Sequence, residues 1–299
     1  MGTRRATLNH RQAVALMVLV TLLWSIAGVV TRQLDSARSF EVTFWRSFFT
    51  ALSLLILLPV WQGRQVFRRM PWRSTSLWLS GLCWSVMFTA FMVALTLTSV
   101  ANVLVIMAAG PLLTALLARL VVAHRLPLRT WGAIAVAGLG IGYMYGNPLA
   151  IDSDRTMAGT LVALCVPLAG AVQWTLVQRS RAQGETLDLV PSVLLGAVLS
   201  ALTALPLSLP FAATPSDVGW LALLGLVQLA IPCTLSVICA RVLKAPEVAL
   251  LALLEVIFGI ALAWLGANEI PGRDVLVGGG LVIGALIFNE LLGWRRQHD

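Results

Sequence analysis

Residues 246–267 read PEVALLALLEVIFGIALAWLGA, an almost wholly apolar run. As an α-helix rising about 1.5 Å per residue, this run extends about 33 Å, and the hydrocarbon core of a bilayer is about 30 Å thick. The run therefore predicts a membrane-spanning helix. Glu255 is the one acidic residue near its middle. A carboxyl at that depth is energetically costly, so its presence indicates a functional role.

Nine further runs of similar composition occupy most of the remaining chain. The ten predicted spans are Gln12–Thr31, Phe40–Val60, Ser76–Leu97, Ala101–Val122, Thr130–Tyr145, Met157–Gln178, Leu187–Leu209, Trp220–Val242, Pro246–Ala267 and Val275–Trp294. Hydrophobic residues make up 59% of the sequence and charged residues 11%, whereas a soluble domain has about 25% charged residues. The composition predicts an all-α integral membrane protein whose main partner is the lipid bilayer.

The basic residues are distributed unevenly between the two sides of the predicted membrane. If the N-terminus is cytoplasmic, most of the 21 lysines and arginines lie in cytoplasmic segments. One such segment carries Arg64, Arg68, Arg69 and Arg73. This bias follows the positive-inside rule and predicts that both termini are cytoplasmic, with an even number of crossings. The net charge of +8 is explained by orientation in the membrane, so no nucleic-acid partner is expected.

The sequence offers no pattern for catalysis or for metal binding within the spans. The histidines lie in loops or tails and are His10, His124 and His298. The cysteines lie within spans, at a spacing that matches no metal motif, and are Cys83, Cys165, Cys233 and Cys239. No lysine and no paired aspartates occur at depth. We therefore expect no enzymatic activity, no metal site and no cofactor.

Two late segments of the chain resemble each other. Gly110-Pro111 in the fourth span leads to the turn Leu126-Pro127-Leu128-Arg129, and Leu254-Glu255 in the ninth leads to Ile270-Pro271-Gly272-Arg273, 144 residues later. Each half of the chain then holds five spans, and an odd number places the second half upside down relative to the first. Such inverted repeats are typical of secondary transporters. The predicted halves are residues 1–150 and 151–299, joined by an external linker at Gly146–Thr156.

Four motifs carry a resemblance to a known family. They are Leu23-Trp24-Ser25, Phe44-Trp45-Arg46, Gly110-Pro111 and Leu254-Glu255. With these motifs in this order, the chain resembles the drug/metabolite transporter superfamily, in its ten-helix EamA-type branch, over essentially its whole length. Within that branch it looks most like the YddG-type bacterial exporters of aromatic and other amino acids. The resemblance implies two inverted five-helix repeats in a bacterial inner membrane, and amino-acid export by alternating access.

Two charged residues lie deep within the spans, away from the span ends, and each has two interpretations. Arg46 can line the transport route and attract a substrate carboxylate, or it can snorkel outward and tie helix ends together. Glu255 can couple transport to protons if it is protonatable and faces a cavity. Alternatively, it is a neutral, hydrogen-bonded carboxyl that fixes the ninth span against a neighbour.

Small hydroxyls beside aromatic rings suit a pocket that holds an apolar side chain and its polar end, although aromatic stripes also serve packing and lipid contact. Prolines in the sixth and eighth spans, Pro167 and Pro232, free backbone carbonyls and are hinge candidates. The predicted substrate contacts, taken from spans one, three, four, six, eight and nine, are Trp24, Ser25, Trp84, Ser85, Thr89, Met107, Trp174, Gln228, Ser236 and Glu255.

The fifth and tenth spans differ from the others in their glycine content. Gly138 and Gly142 in one, and Gly280 and Gly284 in the other, form small-xxx-small patterns, which permit close helix approach. We expect these spans to pack between the halves or between two chains, so a monomer suffices and a dimer is the alternative.

These features favour a carrier over a channel, which would show rings of repeated polar residues. The first hypothesis is a facilitated amino-acid exporter. The rivals are a polyspecific drug exporter coupled to protons through Glu255 and a transporter of phosphorylated metabolites. Phosphate recognition normally enlists several basic residues, and only Arg46 is deep.

Overall fold

The computed structural model describes residues 8–122, 128–145, 154–182, 188–243, 248, 251–268 and 270–298. All regular secondary structure in these residues is helical. The α-helices are α1 (His10–Thr31), α2 (Ser39–Gln62), α3 (Thr75–Leu97), α4 (Val100–Met107), α5 (Gly110–Val122), α6 (Leu128–Tyr145), α7 (Asp154–Ala182), α8 (Pro191–Ser208), α9 (Pro215–Leu223), α10 (Ile231–Cys239), α11 (Leu254–Ala267) and α12 (Arg273–His298). A π-helix, Leu224–Ala230, joins α9 to α10. The turn at Pro127, most of the Gly146–Thr156 linker and the start of the ninth predicted span at Pro246 lie outside the described residues.

Polar residues at the helix starts explain where two of the helices begin. Asn9 caps α1, because its side chain accepts a hydrogen bond from the Gln12 backbone N–H at 2.8 Å and the Gln12 side chain accepts one from Asn9. Thr214 and Asp217 form the same reciprocal pair at the start of α9, with Pro215 in the first turn. Such capping boxes satisfy backbone donors that a helix start leaves free.

Among the described residues, seven helical segments are long and apolar enough to cross a membrane. They coincide with predicted spans one to four and six to eight, and they confirm the all-helical membrane architecture. Leu254–Ala267 and Trp131–Gly140 are shorter apolar helices at the positions of spans nine and five, and α12 covers span ten. The count of ten crossings stays a prediction.

The fourth predicted span is interrupted and consists of α4 and α5. Ala108 and Ala109 form a turn, and α5 begins at Gly110. Pro111 explains the break, because it has no N–H to donate to the carbonyl of Met107 and its ring clashes with that carbonyl. The structure therefore corrects the continuous helix predicted for Ala101–Val122.

The eighth predicted span is also irregular, because its middle is a π-helix. Pro232 cannot donate to the carbonyl of Gln228, and the Ile231 N–H bonds the carbonyl of Leu226, five residues back. Gly225 lies against the backbone of α2, where an added Cβ would come within 2.8 Å of the Arg46 carbonyl oxygen. Short π-helical segments occur frequently at functional sites. Pro167, in contrast, lies within the continuous helix α7.

In the described part of the chain the buried apolar side chains form two large clusters and one small one, which consists of Met70, Leu77 and Leu195. Of the two large clusters, the first contains Val103 and Leu104 of α4, and the second contains Val193 and Leu194 of α8. Met87 of α3 packs against both clusters. The space between the two clusters is where a cavity is found.

The fifth and tenth predicted spans pack against each other, as α6 and α12. Their glycines do not form the predicted close approach, however. An added Cβ at Gly138, Gly280 or Gly284 would meet no atom within 4 Å, whereas one at Gly279 would meet Val105 at 3.0 Å. The contact between α6 and α12 therefore does not depend on these three glycines, which corrects the small-xxx-small interpretation for the described positions.

Candidate functional site

A cavity of about 120 Å³ lies between the two apolar clusters. Its walls come from α1, α2, α3, the α4–α5 break, α7, the π-helix, α10 and the start of α11. Six of the ten predicted contacts line it, and they are Trp24, Trp84, Met107, Trp174, Gln228 and Glu255. Arg46 and Pro167 also line it, so both deep charges of the sequence reach the same cavity.

Aromatic rings form one wall of the cavity. The rings of Trp84 and Phe88 are 5.5 Å apart, and those of Trp84 and Trp174 are 6.0 Å apart at an interplanar angle of 88°. All three side chains are buried. Such edge-to-face and tilted contacts stabilise aromatic clusters beyond their burial, and they leave the ring faces for an apolar ligand. The Trp84 Nε1–H is buried and has no hydrogen-bond partner.

Arg46 is fully buried in α2 and is held by neutral acceptors only. Its Nη1 donates to Gln228 Oε1 at 3.1 Å, and its Nη2 donates to the Phe88 carbonyl oxygen at 2.6 Å. The guanidinium also lies 5.8 Å from the ring centroid of Phe91, within the range of a cation–π contact. Its Nε–H has no partner. Within the described chain Arg46 forms no ion pair with an acidic side chain, so it neither snorkels outward nor is neutralised.

Gln228 connects Arg46 to the opposite helix. Its Nε2 donates to the Trp24 carbonyl oxygen at 3.3 Å, while its Oε1 accepts from Arg46. The Trp24 indole Nε1 in turn donates to Cys233 Sγ at 3.4 Å. These bonds tie α1, α2 and the π-helix together at the edge of the cavity. The π-helical register and the close contact at Gly225 place Gln228 at this point.

Glu255 lies in the first turn of α11 and is 6% exposed. No hydrogen bond or ion pair reaches its carboxylate from the described residues, although it interacts electrostatically with Arg46. The start of a helix favours a negative charge by about 0.3–1 kcal/mol, which is far less than a buried carboxylate loses on leaving water. The described residues therefore do not supply the hydrogen bond that the structural interpretation of Glu255 requires, and both interpretations stay predictions.

The remaining four predicted contacts, all hydroxyl residues, do not line the cavity. Ser25 donates to the Leu22 carbonyl at 2.7 Å and Ser236 to the Cys233 carbonyl at 2.8 Å. Thr89 contacts the Ser200 hydroxyl at 2.9 Å, and Ser85 is buried where α3 meets α8. In an apolar medium a hydroxyl is satisfied by the nearest carbonyl or hydroxyl, so these side chains serve helix geometry and packing.

The cavity also contains residues that were not among the predicted contacts. Helical spacing is the signal that could have found them, because most lie three or four positions from a predicted contact or a proline on the same helix, and Phe91 lies seven positions, or two turns, from Trp84. They include Met87, Phe88, Phe91, Thr114, Gly170, Ala171 and Cys233.

The fold and the site define a class before any comparison is made, since long apolar helices surrounding a cavity with buried charges indicate a multi-pass membrane protein. Comparison then narrows the class. Residues 11–146 match the EamA-like transporter family, so this part of the chain is similar to a domain of that family.

One solved structure, titled only "Crystal structure of protein", is similar with a TM-score of 0.68 and 18% sequence identity, covering 97% of this chain and 99% of that chain. At that identity the likeness shows the fold alone. None of the curated proteins compared with the chain matches it.

Proposed function

We propose that this protein is a secondary transporter that exports aromatic and other zwitterionic amino acids by alternating access. The observation that carries the proposal is a single cavity that combines an aromatic wall with Arg46, a buried cation bonded to neutral acceptors only. The direction of transport and the YddG-type substrate class rest on the motif resemblance described above.

The two parts of the cavity match the two parts of such a substrate. An apolar or aromatic side chain can pack against Trp84, Phe88 and Trp174. The substrate carboxylate can bind Arg46, whose present partners are an amide oxygen and a carbonyl oxygen. A carboxylate is a stronger acceptor for a guanidinium than either of these groups, so exchange of partners favours substrate binding.

Helix contacts support the inverted repeat that alternating access needs. If each predicted span is exchanged with the span five later, most of the large contacts between helices map onto one another, although the contact between spans two and three has no such counterpart. The first span packs on the eighth and ninth, and the sixth packs on the third and fourth. The pairs two and seven, four and nine, and five and ten each pack together. This exchange supports ten crossings in two halves, residues 1–150 and 151–299.

Two glycine contacts support the same relation at the level of atoms. An added Cβ at Gly225 would lie 2.7 Å from Phe49 Cβ, and one at Gly81, 144 residues earlier, would lie 2.9 Å from Leu195 Cβ. Phe49 and Leu195 are 146 residues apart. A glycine of the first half, Gly81, thus packs on a helix of the second half, and a glycine of the second half, Gly225, packs on a helix of the first half.

The proposal includes an orientation and an energy source. Both termini are cytoplasmic, since the basic residues cluster on one side. That the membrane is a bacterial inner membrane is what the motif resemblance implies. Export is facilitated and runs down the gradient of the substrate. A monomer contains the whole cavity, so one chain suffices for transport.

A second candidate, a polyspecific drug exporter coupled to protons, is favoured by one observation. Glu255 is a carboxyl without a described partner in the cavity, and membrane-embedded carboxylates carry protons in many pumps. A transporter of phosphorylated metabolites is less well supported, because Arg46 is the one buried basic side chain among the residues that the structure describes.

The test is counterflow in proteoliposomes loaded with unlabelled L-phenylalanine, with and without a pH gradient. We expect labelled L-phenylalanine to exchange with the unlabelled pool, and we expect the pH gradient not to drive its accumulation inside the liposomes. Trp174→Ala should weaken the apparent affinity for L-phenylalanine about threefold to tenfold, because an aromatic contact with the substrate is lost. Trp78→Ala is the matched control, since Trp78 is exposed and does not line the cavity.

Two outcomes would contradict the proposal. If no amino acid exchanges while organic cations do, the drug exporter replaces the amino-acid exporter. Transport is proton-coupled rather than facilitated if the pH gradient drives accumulation of L-phenylalanine, and if Glu255→Gln abolishes this accumulation but retains counterflow.

A further inference from the structure

Glu255 and Arg46 are the two described charged side chains that line the cavity, and they have opposite signs. Both are more than nine-tenths buried. They interact electrostatically, yet no N–O distance between them is within the 4.0 Å of an ion pair. The cavity lining therefore holds two side chains of opposite charge that interact electrostatically, and the described residues form no ion pair with either of them.

The surrounding structure explains why these two charges stay apart. Arg46 is tethered by the Phe88 carbonyl and by Gln228. Glu255 is fixed in the first turn of α11, which begins after a turn at Leu253. The carboxylate and the guanidinium thus belong to different helices, and the guanidinium cannot move toward Glu255 without breaking its two hydrogen bonds.

Unpaired buried charges are unfavourable, and a ligand that pairs with both removes the penalty. An ion of one sign would pair with one residue and leave the other uncompensated. A ligand with a carboxylate and an ammonium group would pair with both. The unpartnered Arg46 Nε–H and Trp84 Nε1–H supply donors for the carboxylate, whereas Glu255 is the only described acceptor with a full charge in the lining.

We infer that Glu255 is the specificity-determining residue that binds the ammonium group of the substrate. This inference rests on the proposed amino-acid transport and deepens it. Glu255 selects molecules that carry a protonated amine, and it discriminates against 2-hydroxy acids that share the same carboxylate and side chain. Its role is then ligand recognition, and a charged, unpaired carboxylate in the empty cavity is the form that recognition requires.

Three related probes test the inference with the full-length protein in detergent. L-phenylalanine carries both charges, 3-phenyllactate lacks the ammonium group, and phenethylamine lacks the carboxylate. Binding can be followed through the fluorescence of the cavity tryptophans Trp24, Trp84 and Trp174. A hydrogen bond between charged groups is worth roughly tenfold to a hundredfold in affinity. We therefore expect the parent to bind L-phenylalanine at least about tenfold more tightly than 3-phenyllactate.

Variants then assign this selectivity to one side chain. Glu255→Gln should bring the ratio of the two affinities close to one by weakening L-phenylalanine, and Glu255→Asp should retain most of the ratio because it keeps the charge. Glu41→Gln is the matched control. Glu41 is a fully buried carboxylate that accepts hydrogen bonds from the backbone N–H groups of Ala212 and Ala213, outside the cavity lining. Its substitution can lower stability, but the ratio should not change.

The outcomes separate this inference from the proposed function. If the parent binds 3-phenyllactate as tightly as L-phenylalanine, the inference is wrong and amino-acid transport survives. If the parent binds phenethylamine in a Glu255-dependent way and not L-phenylalanine, the inference stands and amino-acid transport fails. Binding of none of the three probes would overturn both. Should Glu255→Gln not fold, the selectivity of the parent alone decides.

Discussion

Gly196 of α8 provides the sharpest test of how the cavity wall is built. An added Cβ at this position would lie 2.3 Å from Trp84 Cβ, 3.0 Å from the Gly81 carbonyl oxygen and 3.1 Å from the Ser85 backbone nitrogen. These atoms belong to the backbone or to a Cβ, so no side-chain rotation relieves the contact. Gly196→Ala therefore forces α3 and α8 apart, and Trp84 moves with α3.

The magnitude follows from two opposing terms. Carbon atoms pack at about 3.5–4.0 Å, so the two helices must separate locally by more than 1 Å. Overpacking of this kind costs about 1–3 kcal/mol, while replacing a helical glycine with alanine gains about 0.5–1 kcal/mol. The net loss is about 1–2 kcal/mol, which corresponds to a fall in Tm of roughly 2–8 °C.

The assay is thermal unfolding of the purified protein, combined with L-phenylalanine binding. Gly219→Ala in α9 is the matched control, because its Cβ would meet no atom within 4 Å. That variant should be unchanged or slightly more stable, and Gly196→Ala should also bind L-phenylalanine more weakly. If Gly196→Ala were as stable as the parent, or if the control lost as much stability, the close packing of α3 on α8 would not hold the wall.

Two further predictions concern the packing of the loops and the topology of the chain in the membrane. Asp217→Ala should destabilise the protein by at least about 2 kcal/mol, because this buried carboxylate accepts hydrogen bonds from the backbone N–H groups of Asp35 and Ser36 and from the Ser36 hydroxyl. Denaturant unfolding measures the loss of stability, and an unchanged unfolding midpoint would contradict the packing of the Asp35–Ser36 loop against the start of α9. A cysteine at Ser153 in a cysteine-free background should react with an impermeant reagent from outside, whereas one at Thr3 should not, and the reverse pattern would invert the proposed topology.

Most of the aromatic part of the cavity was predictable from the sequence. Trp24, Trp84 and Trp174 stand near polar or helix-breaking residues at helical spacing, a combination that suits a pocket and that also occurs in packing and lipid contact. The depth of Glu255 followed from counting residues along its span. Both depend on local sequence, which determines which face and which depth a residue occupies in a helix.

The hydroxyl residues and the irregular helix were not predictable in this way. Ser25 bonds its own helix and Thr89 bonds α8, and the choice between these partners and the cavity depends on which helices are adjacent. The π-helix depends on Gly225 reaching the α2 backbone beside Arg46, a contact between residues far apart in the chain. The hydrophobic periodicity of one helix does not determine which distant helix packs against it or at which residues.

The interruptions near the cavity bear on how transport can proceed. Helices α2, α3 and α8 are joined by the hydroxyls of Ser47, Thr89 and Ser200, with two contacts of 2.9 Å each, and a repacking of these helices would break both contacts. Helices α5 and α11, in contrast, begin at the cavity after turns, at Gly110 and next to Glu255. An interrupted helix bends at lower cost than a continuous one. A substrate ammonium group bound to Glu255 would therefore act on a segment that can move, while its carboxylate is held by the α2 framework through Arg46. We expect this division to convert substrate binding into a motion of α11 relative to the framework of α2, α3 and α8.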